Sequence, residues 1–402
     1  LHSHTGYSDG SGTPVDAYTH ARDVAHLDFM AITEHNHAKQ IKPKDRPGDP
    51  IGKDHSLYNG GPDSLVRTAA GFTENGRFIA LYGQEFSTIS SGNHANVFDT
   101  EEVIEAASGD FKDLVDTWLA TRPDSMSQPA ILLFNHPSSS LRDIEYGRDD
   151  FGGDEKWLNA MSKHARLIEI LNGPGLTKTD GHEPTNFESH YKYYLNLGFH
   201  LAPTGDQDNH FRTWGTLTDA RTGIITTELT KNNLLQAMRA RHVYATEDKN
   251  LRFIAKVTYP GMQPGTTFEL FGNIVETPPP VGTKLTISYS LKDDDEPDAE
   301  YQVEVFSDTI GGEDRATVIA QHTQSGNTAN NTPGVIQDIE YTGGEQYFYV
   351  RVQQSDEDEN KSRLWTAPIW FGGNESTSPQ PNGENESQFL ASKRSAIFQT
   401  DA

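Results

Sequence analysis

Short apolar runs, each ending in a polar cluster, set the rhythm of the first 250 residues. Phe29-Met30-Ala31-Ile32 leads into Thr33-Glu34-His35-Asn36-His37, and Arg77 to Tyr82 leads into Gly83-Gln84-Glu85. Ala130 to Phe134 ends in Asn135-His136-Pro137, Leu167 to Leu171 in Asn172-Gly173, and Phe199 to Pro203 in the polar stretch Thr204 to His210. Brief apolar runs bounded in this way read as buried strands. Helical patterns fall between them. Thr13 is an N-cap with Pro14 at the first helical position and Asp16 in the first turn, and Val15, Tyr18, Arg22 and Ala25 follow at helical spacing. Further helices are predicted over Phe111 to Thr121, over Ser189 to Leu197 before Gly198, and over Asn232 to Arg241 after a Thr230 cap. Strand alternating with helix predicts a parallel sheet. Polar residues gathered at many strand carboxyl ends favour a closed β/α barrel over an open doubly wound sheet.

Near residue 250 the pattern changes. Leu285 to Ser290, Tyr301 to Phe306 and Gln346 to Val352 are short β-type runs between turn clusters, which predicts an all-β sandwich over residues 250–373. Residues 374–402 are rich in Asn, Ser, Gly, Pro and Glu and read as a polar tail. The expected division is therefore a barrel over 1–249, the sandwich, and the tail. Within the first unit, residues 42–76 look irregular, and Lys42, Lys44, Arg46 and Lys53 suit a cover over an anionic substrate. The acidic runs Asp293 to Glu296 and Asp356 to Glu359 read as solvated turns, with calcium as the alternative.

Composition narrows the chemistry. The 402 residues carry 33 basic and 58 acidic side chains, a formal charge of −25, which argues against a nucleic-acid or anionic-membrane surface. No apolar run is long enough to span a bilayer. With no cysteine, any metal must be held by His, Asp and Glu, a donor set suited to Zn, Mn or Fe. The chain opens directly on a motif without Met, so a removed upstream segment and a periplasmic or secreted location are expected. Oligomeric state is not legible.

That opening motif is Leu1-His2-Ser3-His4-Thr5-Gly6-Tyr7-Ser8-Asp9-Gly10. In extended backbone His2 and His4 project to one side, so two imidazoles can bind one ion, while Asp9 lies beyond a turn and is free to serve a neighbouring one. The strand-end residues His35, Glu85, His94, His136, Asp208 and His210 complete nine candidate ligands. Nine exceed the needs of one ion and suit two or three divalent ions with a bridging carboxylate. Such a centre generates hydroxide near neutral pH and polarises the bond under attack, so hydrolysis is the expected chemistry. Glu169, at a strand end in the right plane, is a candidate to accept a proton from a ligand imidazole, and Asn172 is a candidate to face the cavity. Arg142 and Arg212 are candidates to clamp a phosphate or carboxylate. Trp214 is a candidate wall of the pocket, and His37 a candidate to orient a ligand or touch substrate.

The blocks His2-Ser-His4-Thr with Ser8-Asp9-Gly10, Ile32-Thr33-Glu34-His35-Asn36, Gly83-Gln-Glu85-Phe-Ser87, Gly92-Asn-His94-Ala-Asn96, Asn135-His136-Pro137 and Asp208-Asn-His210 resemble, in order, the PHP (polymerase and histidinol phosphatase) superfamily of metallohydrolases, nearest its carbaryl-hydrolase-like branch. The usual Thr-Asp-His is Thr33-Glu34-His35 here. The resemblance implies a distorted (β/α)7 barrel and a trinuclear centre, with His2, His4, Glu85 and Asp208 on one ion, Glu85, His94 and His136 on a second, and Asp9, His35 and His210 on a third. His94, nine residues past Glu85 on an expected loop, is the ligand least fixed by this pattern. The expected activity is hydrolysis of a small anionic phosphoester, by diesterase or monoesterase action. Glu85, His136, His210, Arg142 and Arg212 are the catalytic candidates, with His136 or His210 protonating the leaving group. The alternatives are a carbamate, amide or carboxylic ester hydrolase on the same centre, and a non-catalytic binding protein that uses the sandwich.

Overall fold

A computed structural model of the chain describes residues 1–36, 50–87, 94–105, 111–119, 130–137, 159–262, 268–269, 272–312, 315–328, 332–355 and 362–373. Arg142, His37, Lys42, Lys44, Arg46 and the 356–359 run lie outside these residues.

The predicted apolar runs form strands β1 (Phe29–His35), β2 (Ile79–Ser87), β4 (Ile131–Phe134), β5 (Ala165–Asn172) and β7 (Ala202–Asp206), joined by β3 (His94–Phe98) and the short β6 (Thr185–Asn186). The sheet order is β1-β2-β3-β4-β5-β6, with β7 on β5. The pairs β1/β2, β4/β5 and β5/β7 are parallel, whereas β3 runs antiparallel to both β2 and β4. Every residue of β4 and β5 is buried, in keeping with strands covered on both faces.

This overturns the expected (β/α)7 barrel. The first sheet is a mixed half-barrel, and the chain as a whole is largely β. The physical reason lies between β2 and β3. A parallel crossover needs about a dozen residues or more, and only residues 88–93 separate Ser87 from His94, so β3 must turn back antiparallel. His94 accordingly opens a strand and does not sit on a loop. A second departure comes after β7. Strands β8 (Arg221–Ile224) and β9 (Val243–Thr246) leave this sheet for the one built by the second half of the chain.

The helical starts behave as their sequences predict. In Pro14–Asp23 the Thr13 side chain accepts from Asp16 N while Asp16 accepts from Thr13 N, a reciprocal cap. Thr230 likewise caps Lys231–Arg239. The stretch read as irregular contains a helix, Leu65–Phe72, which buries Leu65, Thr68 and Ala69.

The second half supplies β10 (Arg252–Thr258), β11 (Phe268–Glu269), β12 (Ile274–Val275), β13 (Lys284–Lys292), β14 (Glu300–Thr309), β15 (Thr317–Ser325), β16 (Gly334–Glu340), β17 (Gln346–Ser355), β18 (Arg363–Thr366) and β19 (Ile369–Phe371). They form a four-stranded sheet, β11-β10-β13-β16, and an eight-stranded sheet that includes β8 and β9. Alternate residues of β13 are buried, and Leu285, Ile287, Tyr289 and Leu291 share a core with Val303, Val305, Val350 and Val352. These β-rich sheets fit the expected sandwich. Within the Asp293 to Glu296 run, Asp293 is not solvated. It is fully buried and accepts from Asp295 N, Glu296 N and Tyr301 Oη. No helix among the described residues is long and apolar enough to cross a membrane.

Candidate metal centre

Strands β1, β2, β4, β5 and β7 share one direction, so their carboxyl ends lie at one end of the sheet; β3, running the other way, starts there. The opening segment is laid across the same end. Thr33 N donates to Ser3 O at 2.9 Å, Asp208 N to His2 O at 3.1 Å, and His4 N to Asn209 O at 2.9 Å. His2 and His4 are thereby tied to both β1 and the loop after β7.

All nine predicted ligands meet there. Glu85, 1% exposed, is the hub: its Oε1 lies 2.8 Å from His94 Nδ1, 3.3 Å from His136 Nε2 and 3.3 Å from His2 Nε2. Its Oε2 lies 3.0 Å from His35 Nδ1 and 3.2 Å from His4 Nε2. Asp208 Oδ1 is 3.3 Å from His2 Nε2 and 3.2 Å from His4 Nε2, and Asp9 Oδ1 is 3.2 Å from His210 Nε2 and 3.5 Å from His35 Nε2. Potential ligand atoms fall within 4.8 Å of one another in three overlapping groups: His2, His4, Glu85 and Asp208; His4, Asp9, His35 and His210; and His35, Glu85 and His94. The first holds the four residues that the resemblance assigns to one ion. In the third, His35 takes the place expected for His136, whose ring is 4.9 Å from that of His94.

Supporting contacts fix the array. His2 Nδ1 bonds Glu169 Oε1 at 2.7 Å, which leaves Nε2 directed at the cluster. Glu169 Oε2 accepts from His136 N and from Asn172 Nδ2. Asn135, which sequence position alone does not mark as a working residue, donates to Glu85 Oε1 at 3.0 Å and pairs with Asn96 at 2.9 Å. Trp214 is buried and donates Nε1–H to His4 O. His136 and Asp208 both have positive φ, 22° and 48°, a local strain that persists only where the surroundings dictate it. Arg212 is not brought to the cluster. Its side chain is 65% exposed and lies 3.5 Å from Asp16.

Electrostatics follow from packing imidazoles against carboxylates. Burial disfavours the charged forms of His2 and His4, but Asp208, Glu85 and their other acidic neighbours outweigh it and raise both well above the ordinary value. Burial would raise Glu85 and Asp208, yet the surrounding histidines hold both well below the carboxylate range. His94 is the exception, pushed down to about 4 chiefly by burial despite Glu85.

The residues fit divalent ions. Among the described residues, the buried Glu85 Oε2 and Asp208 Oδ1 have no hydrogen-bond partner of good geometry, although imidazole nitrogens lie 3.0 to 3.3 Å from them. Two bare carboxylate oxygens beside converging Nε2 atoms are costly among protein groups alone and ordinary for cation ligands. The mouth of the cluster is open, with side-chain exposures of 24% for Asp9, 22% for His136, 19% for Asp208 and 18% for His94, whereas His2 and His4 are sealed.

No protein-family model and no curated protein matches the chain. Among solved structures, the soluble domain of PmoD from Methylocystis sp. aligns with 30% of this chain and 90% of its own length, at 8% identity and a TM-score of 0.21. A likeness that slight carries no argument about fold or site.

Proposed function

We propose that the chain is a metal-dependent hydrolase of small anionic phosphoesters, of the kind its resemblance to PHP metallohydrolases implies. One observation carries this reading: nine nitrogen and oxygen ligands gather at one strand end in groups that overlap through Glu85, His4 and His35, and four of the nine face solvent. A structural metal site is closed and satisfied by four ligands, whereas a catalytic one keeps an open side. Divalent ions held by His2, His4, Glu85 and Asp208, with Asp9, His35, His94, His136 and His210 around them, would lower the pKa of water and polarise the ester. The chain's own contribution is orientation. Glu169 holds His2 by its Nδ1 and Asn135 holds Glu85, while the sealed inner histidines leave only the mouth for substrate. His136, part-exposed at that mouth, or His210 behind it would pass a proton to the leaving oxygen.

The test is turnover of bis-p-nitrophenyl phosphate, p-nitrophenyl phosphate and naphthyl carbamate by protein loaded with Mn, Zn or Fe. Phosphoester turnover that a chelator abolishes and metal restores is expected. Turnover of the carbamate alone would replace phosphoester by carbamate hydrolysis, and inertness with every metal and substrate would overturn the reading.

A further inference from the structure

The two histidines of the opening motif are held from behind by different means. His2 rests directly on a carboxylate, Glu169. His4 Nδ1 instead lies 3.3 Å from the Ser8 hydroxyl, and that hydroxyl donates to Glu34 Oε2. Glu34 is fully buried in β1. Side chains alternate along a strand, so Glu34 faces away from its neighbour His35 and reaches the turn that follows His4. There its Oε1 accepts from Thr5 N at 2.9 Å and from the Thr5 hydroxyl.

We propose that Glu34, acting through Ser8, is a positioning residue that fixes the tautomer and ring orientation of His4 for metal binding. A serine hydroxyl has one proton and two lone pairs. With the proton committed to Glu34, Ser8 can only accept from His4, so the His4 proton sits on Nδ1. The lone pair is then on Nε2, the atom 3.2 Å from both Asp208 Oδ1 and Glu85 Oε2. The other carboxylates near Nδ1 are out of direct bonding range, with Asp9 Oδ1 at 3.9 Å and Glu34 Oε2 itself at 3.8 Å. The hydroxyl is what joins Glu34 to the ring. A carboxylate–hydroxyl–imidazole chain of this kind serves a metal ligand as the direct carboxylate–imidazole pair does, by setting which nitrogen is free. This inference rests on the metal-centre reading above and assigns work to two residues outside the nine ligands.

The experiment compares wild type with Ser8→Ala, Ser8→Thr and Glu34→Gln, using zinc affinity by chelator competition and the visible spectrum of the cobalt-loaded protein. Ser8→Ala leaves Glu34 its two donors from Thr5, so its chelated form is expected to unfold near the wild-type temperature while zinc affinity falls about 10- to 100-fold. Its cobalt spectrum is expected to shift, and Ser8→Thr, which keeps the hydroxyl, to restore both. Glu34→Gln replaces an acceptor by an amide able to donate to Ser8, and its loss is expected to be no larger when combined with Ser8→Ala, because both act along one path. Wild-type zinc affinity and an unchanged cobalt spectrum in Ser8→Ala would sink the relay alone. Failure of the wild-type protein to take up either metal would sink the relay together with the hydrolase reading.

Discussion

Glu85→Ala is expected to release ions from two of the three ligand groups at once and to cut phosphodiester turnover by well over 100-fold. Among the described residues, Glu85 is the one carboxylate that reaches five imidazoles, those of His2, His4, His35, His94 and His136, at 2.8 to 3.3 Å. Loss of a residue that merely orients a ligand costs roughly 10- to 100-fold in affinity or activity, so loss of a shared ligand should exceed that range. The same change removes the negative charge that helps raise His2, His4 and His136, so these pKa values should fall in the metal-free protein. Metal content per chain and kcat on bis-p-nitrophenyl phosphate, measured after stripping and reloading, check the point. Full turnover by the reloaded variant would contradict the role given to Glu85.

Gly175→Ala is expected to damage the site from outside the ligand set. A Cβ at Gly175 would lie 1.7 Å from Asp208 O and 2.5 Å from Asp208 C, both backbone atoms that cannot swing aside. Gly175 O also accepts from His210 N at 3.0 Å, so retreat of the loop would pull on two ligands together. Overpacking of this kind costs about 3 kcal/mol or more, and here part of the cost falls on Asp208, already at positive φ. Thermal unfolding and zinc affinity should both drop. Gly71, in helix Leu65–Phe72 with open space where a Cβ would sit, is the control: Gly71→Ala should leave zinc affinity unchanged and raise stability by about 0.5–1 kcal/mol. Equal behaviour of the two alanine variants would refute the close-approach argument.

Much of this site is legible in the chain because period-two spacing and strand-end position are local properties. The His2–His4 spacing, the runs that became β1, β4 and β5, and the polar residue closing each run need no knowledge of distant neighbours. The antiparallel β3 was harder to read. His94-Ala95-Asn96-Val97-Phe98 alternates, but Asn96 stands where an apolar residue would announce a buried strand, and it is tolerated there because Asn135 pairs with it. The same strand removes the β/α alternation on which the barrel expectation rested, since so short a connection cannot return the chain in parallel. Glu34 carries no local mark of a working residue, because its partners, Thr5 and Ser8, lie nearly thirty positions earlier. Gly175 gives no sequence signal at all, as its constraint is the carbonyl of Asp208.

The central claim is that the opening segment and the strand ends form one multi-ion centre. Elemental analysis of the purified chain, loaded with manganese or zinc and desalted at pH 8 to favour neutral imidazoles, tests it most directly. Two or three ions per chain are expected, falling by at least one in Glu85→Ala. Less than one ion per chain in the wild type would contradict the account.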